Sequence, residues 1–496
     1  MKTIRLATLS IFILLLAGCH QSGIPNLPFL PEPDEPPPDD TVVADSTNVP
    51  PTTKAQRIVW LQDNVHPVRS IQPGDVDVSD LQRIGQYIGD SRIVVMGEQT
   101  NWDGATQLAK TRLVKYLHET MGFDVLALEA GIYDCAKGWE SIRTGSNDGT
   151  GFQNASLFVD YIDYLLFVLY PATPLGYGYS EQMQDLIAFI EQEATAQRPL
   201  ILVGLDCEFT GSYSRDRLYR DLLSYLSDIG IDTKSYAGWS NFVCQVERLA
   251  NKGFIPGQAE QTEFFEFVGI LRSDILEQTF ANDPEAAFWI QVIESAETQA
   301  KRVWRDWGIT AFVCPPYYWN EKSEQMARNL LAYANTIHPD KKIIVWAKNR
   351  HVCRRISDEV TNRYGYFSVD GMTSMVDVLW DVMGSDVYAF TFTSLQGTIQ
   401  PAFSGAYMDV GPVVNGDLED LMNEAGFELG FLDLRSMGEY RSPETDRVLP
   451  ENGAWLRDGV IMTTMHYQRM RARDLSRVID GAFFIRDMTP STLRTY

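Results

Sequence analysis

The chain has 496 residues, 42 of them Lys or Arg against 66 Asp or Glu, for a formal net charge of −24. With 45% hydrophobic and 22% charged residues the composition is globular, which excludes a wholly disordered chain, a collagen and a polytopic membrane protein. The acidity argues against sequence-independent nucleic-acid binding, which needs a basic face to displace counterions; by itself it means solubility rather than function.

Residues 1–19 read MKTIRLATLSIFILLLAGC. Lys2 and Arg5 form a positive start, and Leu6 to Leu16 an apolar run too short for a comfortable membrane span. Leu16-Ala17-Gly18-Cys19 resembles the bacterial lipobox, in which the leader is cut before the Cys and the Cys is lipidated. The expectation is a signal peptide over 1–18, a lipid anchor at Cys19 and an exported lipoprotein of the cell envelope. His20, rather than Asp, after the Cys favours outer-membrane sorting where a cell has one. Cleavage removes Lys2 and Arg5 and no acid, taking the formal charge from −24 to −26. Residues 19–56 read as the anchor and an extended Pro- and acid-rich tether. The remaining cysteines (Cys135, Cys207, Cys244, Cys314 and Cys353) show no CxxC or metal-finger spacing and read as buried small apolar residues.

The folded part is expected over 57–496. Arg92 to Met96 is a short apolar run, read as a buried strand. A turn from Gly97 to Gly104 follows. Ala105, Leu108, Ala109, Leu113, Tyr116, Leu117 and Met121 then recur at helical spacing, and Gly122 is a C-terminal stop. Val125 to Leu128 is the next strand, parallel to the first. Leu200 to Leu205, Lys342 to Ala347, Val387 to Phe392 and Ala482 to Ile485 repeat the strand pattern. Helical patterns fill 155–169, 180–196, 214–228 and 322–336. The fold class is α/β, a mainly parallel sheet flanked by helices, with 237–310 a helical insertion covering one end.

In open parallel sheets ligands bind at the carboxyl ends of the strands. Here four apolar strands run into ionisable residues: Glu98, Glu129, Asp206, and the stretch from Lys348 to His351. Two carboxylates, a histidine and a lysine at one rim can serve hydrolysis or hold a divalent ion. Arg112, on the apolar side of the first helix, is a candidate partner for a crevice carboxylate. Trp102 sits in the 97–104 turn and can line a pocket. There is no P-loop and no Gly-x-Ser-x-Gly elbow.

Gly97-Glu98-Gln99-Thr100-Asn101, the run Gly122 to Glu129, Gly204-Leu205-Asp206, Gln325 to Asn329 and Ile344 to His351 together resemble the erythromycin esterase family. That resemblance spans roughly residues 57–490. It implies a turn whose histidine activates water, a Glu ending the next strand, a His-Asn-x-His segment after a Val-Trp-Ala strand, and an Arg on the helix before it. This chain keeps Glu98, Glu129 and His351. It has Asn101 in place of the first histidine, Lys348 in place of the second, and Lys322 about where the Arg is expected. An Asn cannot take a proton at neutral pH.

Two outcomes follow. One is a surface-tethered hydrolase of an ester or lactone, with His351, Glu98 or Glu129 as base and Lys348 stabilising the oxyanion. Trp102, Asp206, Arg112 and Lys322 would then meet the substrate. The other is a ligand-binding lipoprotein that has lost its chemistry. A third reading has Glu98, Glu129 and His351 coordinating one divalent metal near Asp206; no cofactor is otherwise implied. The macrolide ring ester is the family's best-known substrate, and any partner here is a small molecule, with the membrane met through the lipid.

Overall fold

The computed structural model describes residues 53–145, 180–209, 211–251, 255–305, 316–361, 369–400, 407–411, 413, 415–436, 455–456, 460–465 and 468–492. Contacts divide the chain into two units, Met1–Asn48 and Val49–Tyr496, and every described residue belongs to the second. The leader, Cys19 and the 155–169 helix lie outside the described residues. The helix Lys54–Asn64 opens the fold, its first turn closed by a capping box between Thr53 and Gln56. Lys54, which the sequence pattern assigns to the tether, belongs instead to this helix and pairs with Asp420 and Glu424.

Twelve strands follow among the described residues. They are β1 (Val65–Pro67), β2 (Ile93–Glu98), β3 (Phe123–Gly131), β4 (Ile201–Asp206), β5 (Lys342–Lys348), β6 (Val360–Thr361), β7 (Val387–Ile399), β8 (Met408–Val410), β9 (Leu429–Asp433), β10 (Val460–Met465), β11 (Gln468–Ala472) and β12 (Gly481–Met488). Nine of them form one sheet in the order β1-β9-β12-β7-β2-β5-β3-β4, with β8 on β7. The run from β12 to β4 is parallel throughout; β1 and β9 extend it antiparallel at one edge. β10, β11 and β6 make a small antiparallel sheet.

The six parallel strands correspond to the six apolar runs of the sequence. Their continuous hydrophobic character follows from burial on both faces, as at β2, where every position is buried. β2 and β3 are parallel as expected, but β5 lies between them.

The helix Gly104–Met121 connects β2 to β3. Asp103 caps its start by accepting from Ala105 N, and Gly122 ends it at φ 75°, a left-handed conformation that glycine adopts without a Cβ penalty. The expected insertion forms three helices, Trp239–Ala250, Gln258–Gln278 and Pro284–Arg305. They pack on the helices Ile132–Thr144, Ser212–Asp228 and Pro316–Ala332 beyond the β4 edge. No helix among the described residues is long and apolar enough to cross a membrane.

Candidate functional site

The carboxyl ends of β2, β5, β3 and β4 lie side by side and carry Glu98, Lys348, Glu129 and Asp206. Glu98 and Lys348 are register partners. Glu129 owes its direction to a bulge: Leu128 pairs with Gly204 and Gly131 with Asp206, so β3 spends one residue more than β4. Gly204 permits it, since a Cβ there would run into the carbonyl oxygens of Ala130 and Gly131. Gly97 plays a similar part on β2, where a Cβ would strike the Asn349 side chain. Its absence lets the short Asn349–Val352 helix sit on the strand and turn His351 toward Glu129.

Glu129 is the centre of the charge cluster. Its Oε2 accepts from the Lys348 backbone N at 3.0 Å. Around Oε1 stand His351 Nε2 at 3.4 Å, Lys322 Nζ at 3.6 Å and Lys348 Nζ at 3.6 Å. Burial would raise this carboxyl, but the neighbouring Lys348, His351 and Lys322 hold it well below the usual range. Lys322 also pairs with Asp206 at 2.7 Å. The helix Pro316–Ala332 is fixed over β4 by Asn329, whose side chain donates to the Leu205 carbonyl at 2.8 Å, and this sets Lys322 above the Asp206 carboxylate. Ser323, next along the same helix, meets His351 Nδ1 at 2.8 Å. Burial lowers the His351 imidazole below its ordinary value, against the opposing pull of Glu129, so the ring is neutral at pH 7.

Glu98 belongs to an adjoining group. Its Oε2 accepts from Lys110 Nζ at 3.0 Å and from the Trp346 indole N–H at 2.8 Å. The Lys110 ammonium lies 4.7 Å from the Trp346 ring centroid, a cation–π contact. Burial pushes Lys110 down to about 8 although Glu98 and Glu129 both draw it up. Glu98 and Lys110 are each fully buried. Three carboxylates (Glu98, Glu129, Asp206) thus face three lysines (Lys110, Lys322, Lys348) around a neutral histidine, and the buried Arg350 adds a further positive charge near the ring.

The structure therefore brings together Glu98, Glu129, Asp206, Lys322, Lys348 and His351. Arg112 is not with them. It is buried and pairs bidentately with Asp80 at 2.7 and 2.9 Å, and donates to the Ser70 and Asp77 carbonyls. Residues two apart on a helix point about 200° apart, so the helix that turns Lys110 to β2 turns Arg112 to the 70–80 loop. Asn101 and Trp102 are half-buried in the turn after β2. That turn is strapped by the C-terminal segment: Gly104 N donates to the Thr489 carbonyl at 2.7 Å, Ser491 N to the Trp102 carbonyl at 3.0 Å, and Thr489 N to Asp103 at 3.3 Å. Burial raises the Asp103 carboxyl to about 6 against hydrogen bonds from Thr106, Thr489 and Ala105.

The metal reading loses its ligand set. Among the described residues no group of three His, Cys, Asp or Glu is placed to hold an ion. Glu98 is committed to Lys110 and Trp346, and lysines already occupy the approaches to Glu129.

The sequence reading missed Lys110 and Ser323, although a signal existed for both. Lys110 precedes Leu113, Val114 and Leu117 at three, four and seven residues, and Ser323 precedes Met326, Ala327 and Leu330 at the same spacing. A polar residue on an apolar stripe is buried and needs a partner.

Fold and site define an α/β protein with a buried cluster of carboxylates, lysines and a histidine at the carboxyl ends of a parallel sheet. Residues 118–488 match the erythromycin esterase family, and the chain belongs to that family. The match covers Glu129, Asp206, Lys322, Lys348 and His351 and begins after the Glu98 turn. A protein of Bacillus subtilis (strain 168) named "Putative hydrolase YbfO" is 22% identical over 410 residues, 75% of this chain and 80% of that protein. Among solved structures, a Bacillus cereus protein aligns over 90% of this chain and 100% of its own at TM-score 0.65 and 16% identity. A succinoglycan biosynthesis protein aligns over the same shares at TM-score 0.67 and 15% identity. A mutant of the erythromycin esterase EreC, in its open conformation, aligns over 87% of this chain and 100% of its own at TM-score 0.55 and 16% identity. At such identities the structural likenesses show the fold.

Proposed function

We propose that the protein hydrolyses a carboxylic ester or lactone in the crevice at the ends of β2 to β5. The observation that carries this reading is His351, neutral at pH 7 and held between Glu129 at 3.4 Å and Ser323 at 2.8 Å. A neutral imidazole beside an ionised carboxylate is a general base whose protonated form is stabilised as it appears. Lys348, the more exposed of the two lysines around Glu129, supplies positive charge for an oxyanion. Family membership and the hydrolase name of the Bacillus subtilis relative support the same class of chemistry. The substrate is a small molecule, and the macrolide ester named for the family is one candidate among many.

The test is turnover of a panel of esters and lactones by the purified protein. His351→Ala is expected to lower the rate by about 10²–10⁴-fold, the usual worth of a positioned base; an unchanged rate refutes the assignment. A second reading, binding without turnover, is favoured by Asn101 and Lys348. It expects no hydrolysis by the native protein and a gain on Asn101→His with Lys348→His.

The location belongs to the same proposal: an exported protein lipidated at Cys19 and held to the membrane by a tether. Its support is the positive, apolar and Cys-terminated leader. Incorporation of labelled palmitate that is lost in Cys19→Ala would test it.

A further inference from the structure

We propose that Ser323 is the nucleophile of this site, so that turnover passes through an acyl-enzyme on Ser323 with His351 as the base. The inference rests on the hydrolytic reading above and assigns the residue that bonds to the substrate.

The argument begins with the His351 tautomer. Glu129 faces Nε2 at 3.4 Å and has two lysines around the same oxygen, so it is a carboxylate. A carboxylate opposite an imidazole lone pair is repulsive, and opposite an N–H it is attractive. Nε2 therefore carries the proton, and the lone pair is on Nδ1. Nδ1 lies 2.8 Å from Ser323 Oγ, so the hydroxyl donates to it. Among the described residues, the proton that His351 is placed to take is that of Ser323. Hydroxyl, imidazole and carboxylate form the order nucleophile, base, orienting group that defines an activated serine by geometry and role.

The other candidate bases are occupied or unsuited. Asn101 has no basic nitrogen, Glu98 Oε2 is bonded by Lys110 and Trp346, and Glu129 is too well stabilised as an anion to pull a proton from water. Water activation by the turn residue, lost with Asn101, is replaced by an alcohol already bonded to its base. Ser323 is 1% exposed, and Lys348, at 6%, is the most open side chain of the cluster.

The chemistry balances. Ser323 Oγ attacks the carbonyl carbon while its proton passes to His351 Nδ1, and the imidazolium is stabilised by Glu129. The carbonyl oxygen becomes an oxyanion beside Lys348. Collapse expels the alkoxide, which takes the proton from Nδ1 and leaves as the alcohol. Water then gives a proton to Nδ1 and attacks the acyl carbon. Collapse releases the carboxylic acid and returns the proton to Ser323.

The test treats the full chain with a fluorophosphonate and, separately, with an activated aryl ester, and reads adducts by intact-mass and peptide mass spectrometry. The expected result is one phosphonyl group on Ser323, a burst of aryl alcohol, no adduct on Ser323→Ala, and a rate at least about a hundredfold lower in that variant. Turnover without any adduct on Ser323, or with Ser323→Ala within threefold of native, overturns the proposal and leaves the hydrolase reading intact. A slowed Ser323→Ala with no adduct on native protein reduces Ser323 to positioning His351 and also overturns it. If no ester is turned over, the hydrolase reading fails, and phosphonylation of native Ser323 still decides its nucleophilicity: labelling supports it and none refutes it. Labelling of the native chain does not depend on the variant folding.

Discussion

Lys322 is the residue whose removal should disturb the molecule most for its size. Its ammonium is fully buried, 2.7 Å from Asp206 and 3.6 Å from Glu129. At an effective dielectric of about 20 those two attractions are worth about 6 and 5 kcal/mol before any cost. Taking the lysine out of water consumes much of that, and breaking a buried pair from one side typically costs about 3–5 kcal/mol. Lys322→Met is expected to lose that much in urea unfolding at about pH 7.5, and Lys322→Arg, which keeps the charge, much less.

The pH dependence separates this account from a simple packing loss. In the native chain Glu129 titrates well below its ordinary value, so its contribution is fully present above about pH 4.5 and is lost as pH falls through the acid range. Without Lys322, two carboxylates lie in a buried site short of one cation, and one of them titrates above its unfolded value. The folded state then binds a proton the unfolded chain does not, and the deficit shrinks as pH falls from about 7.5 to about 5. A loss below about 1 kcal/mol at pH 7.5, or an equal loss at both pH values, would refute the reasoning.

Lys110→Met should destabilise by a similar amount because it leaves the buried Glu98 without its lysine counter-charge, and the double variant with Glu98→Leu should recover part of the loss; a coupling near zero in the double-mutant cycle contradicts a paired Glu98–Lys110. Because burial lowers His351, the turnover rate should stay level as pH falls to 6.5 and decline only below it, whereas a half-maximal point at pH 7 or above would show a different base. Gly204→Ala should cost about 1–3 kcal/mol by overpacking and reduce turnover further by moving the Glu129 bulge. Gly269→Ala, in open space within the Gln258–Gln278 helix, should instead stabilise by about 0.5–1 kcal/mol; equal effects of the two in thermal unfolding would dismiss the steric account.

The parallel sheet was legible because strands covered on both faces are written as unbroken apolar runs, and four of the six such runs end in the charged residues of the site. β1, β8 and β9 escaped notice since short antiparallel edges carry no such signature; β9 is only Leu429–Asp433. The strand-end residues Glu98, Glu129, Asp206 and Lys348 could be read from position alone. The bulge that aims Glu129 could not, because it depends on Gly204 of another strand coming close to the β3 backbone. Arg112 and Lys110 show the limit most directly. Both are cations on one helix, and which of them meets a site carboxylate is settled by helix rotation against loop 70–80, an interaction between segments that no local pattern records. Lys322 was found through family resemblance, and its partners Asp206 and Glu129 only through packing.

The strap across the 101–104 turn has a kinetic consequence. Thr489 and Asp103 are 386 positions apart, and β2 itself is completed on either side by β5 and β7, which leave the ribosome more than two hundred residues after it. Until then β2 is an apolar strand with both edges open, the kind of intermediate that aggregates or recruits a chaperone. Contacts of such sequence separation close late because their loop entropy must be met first. The crevice is thus among the last parts of the molecule to form, and appearance of activity should lag the recovery of helical signal during refolding.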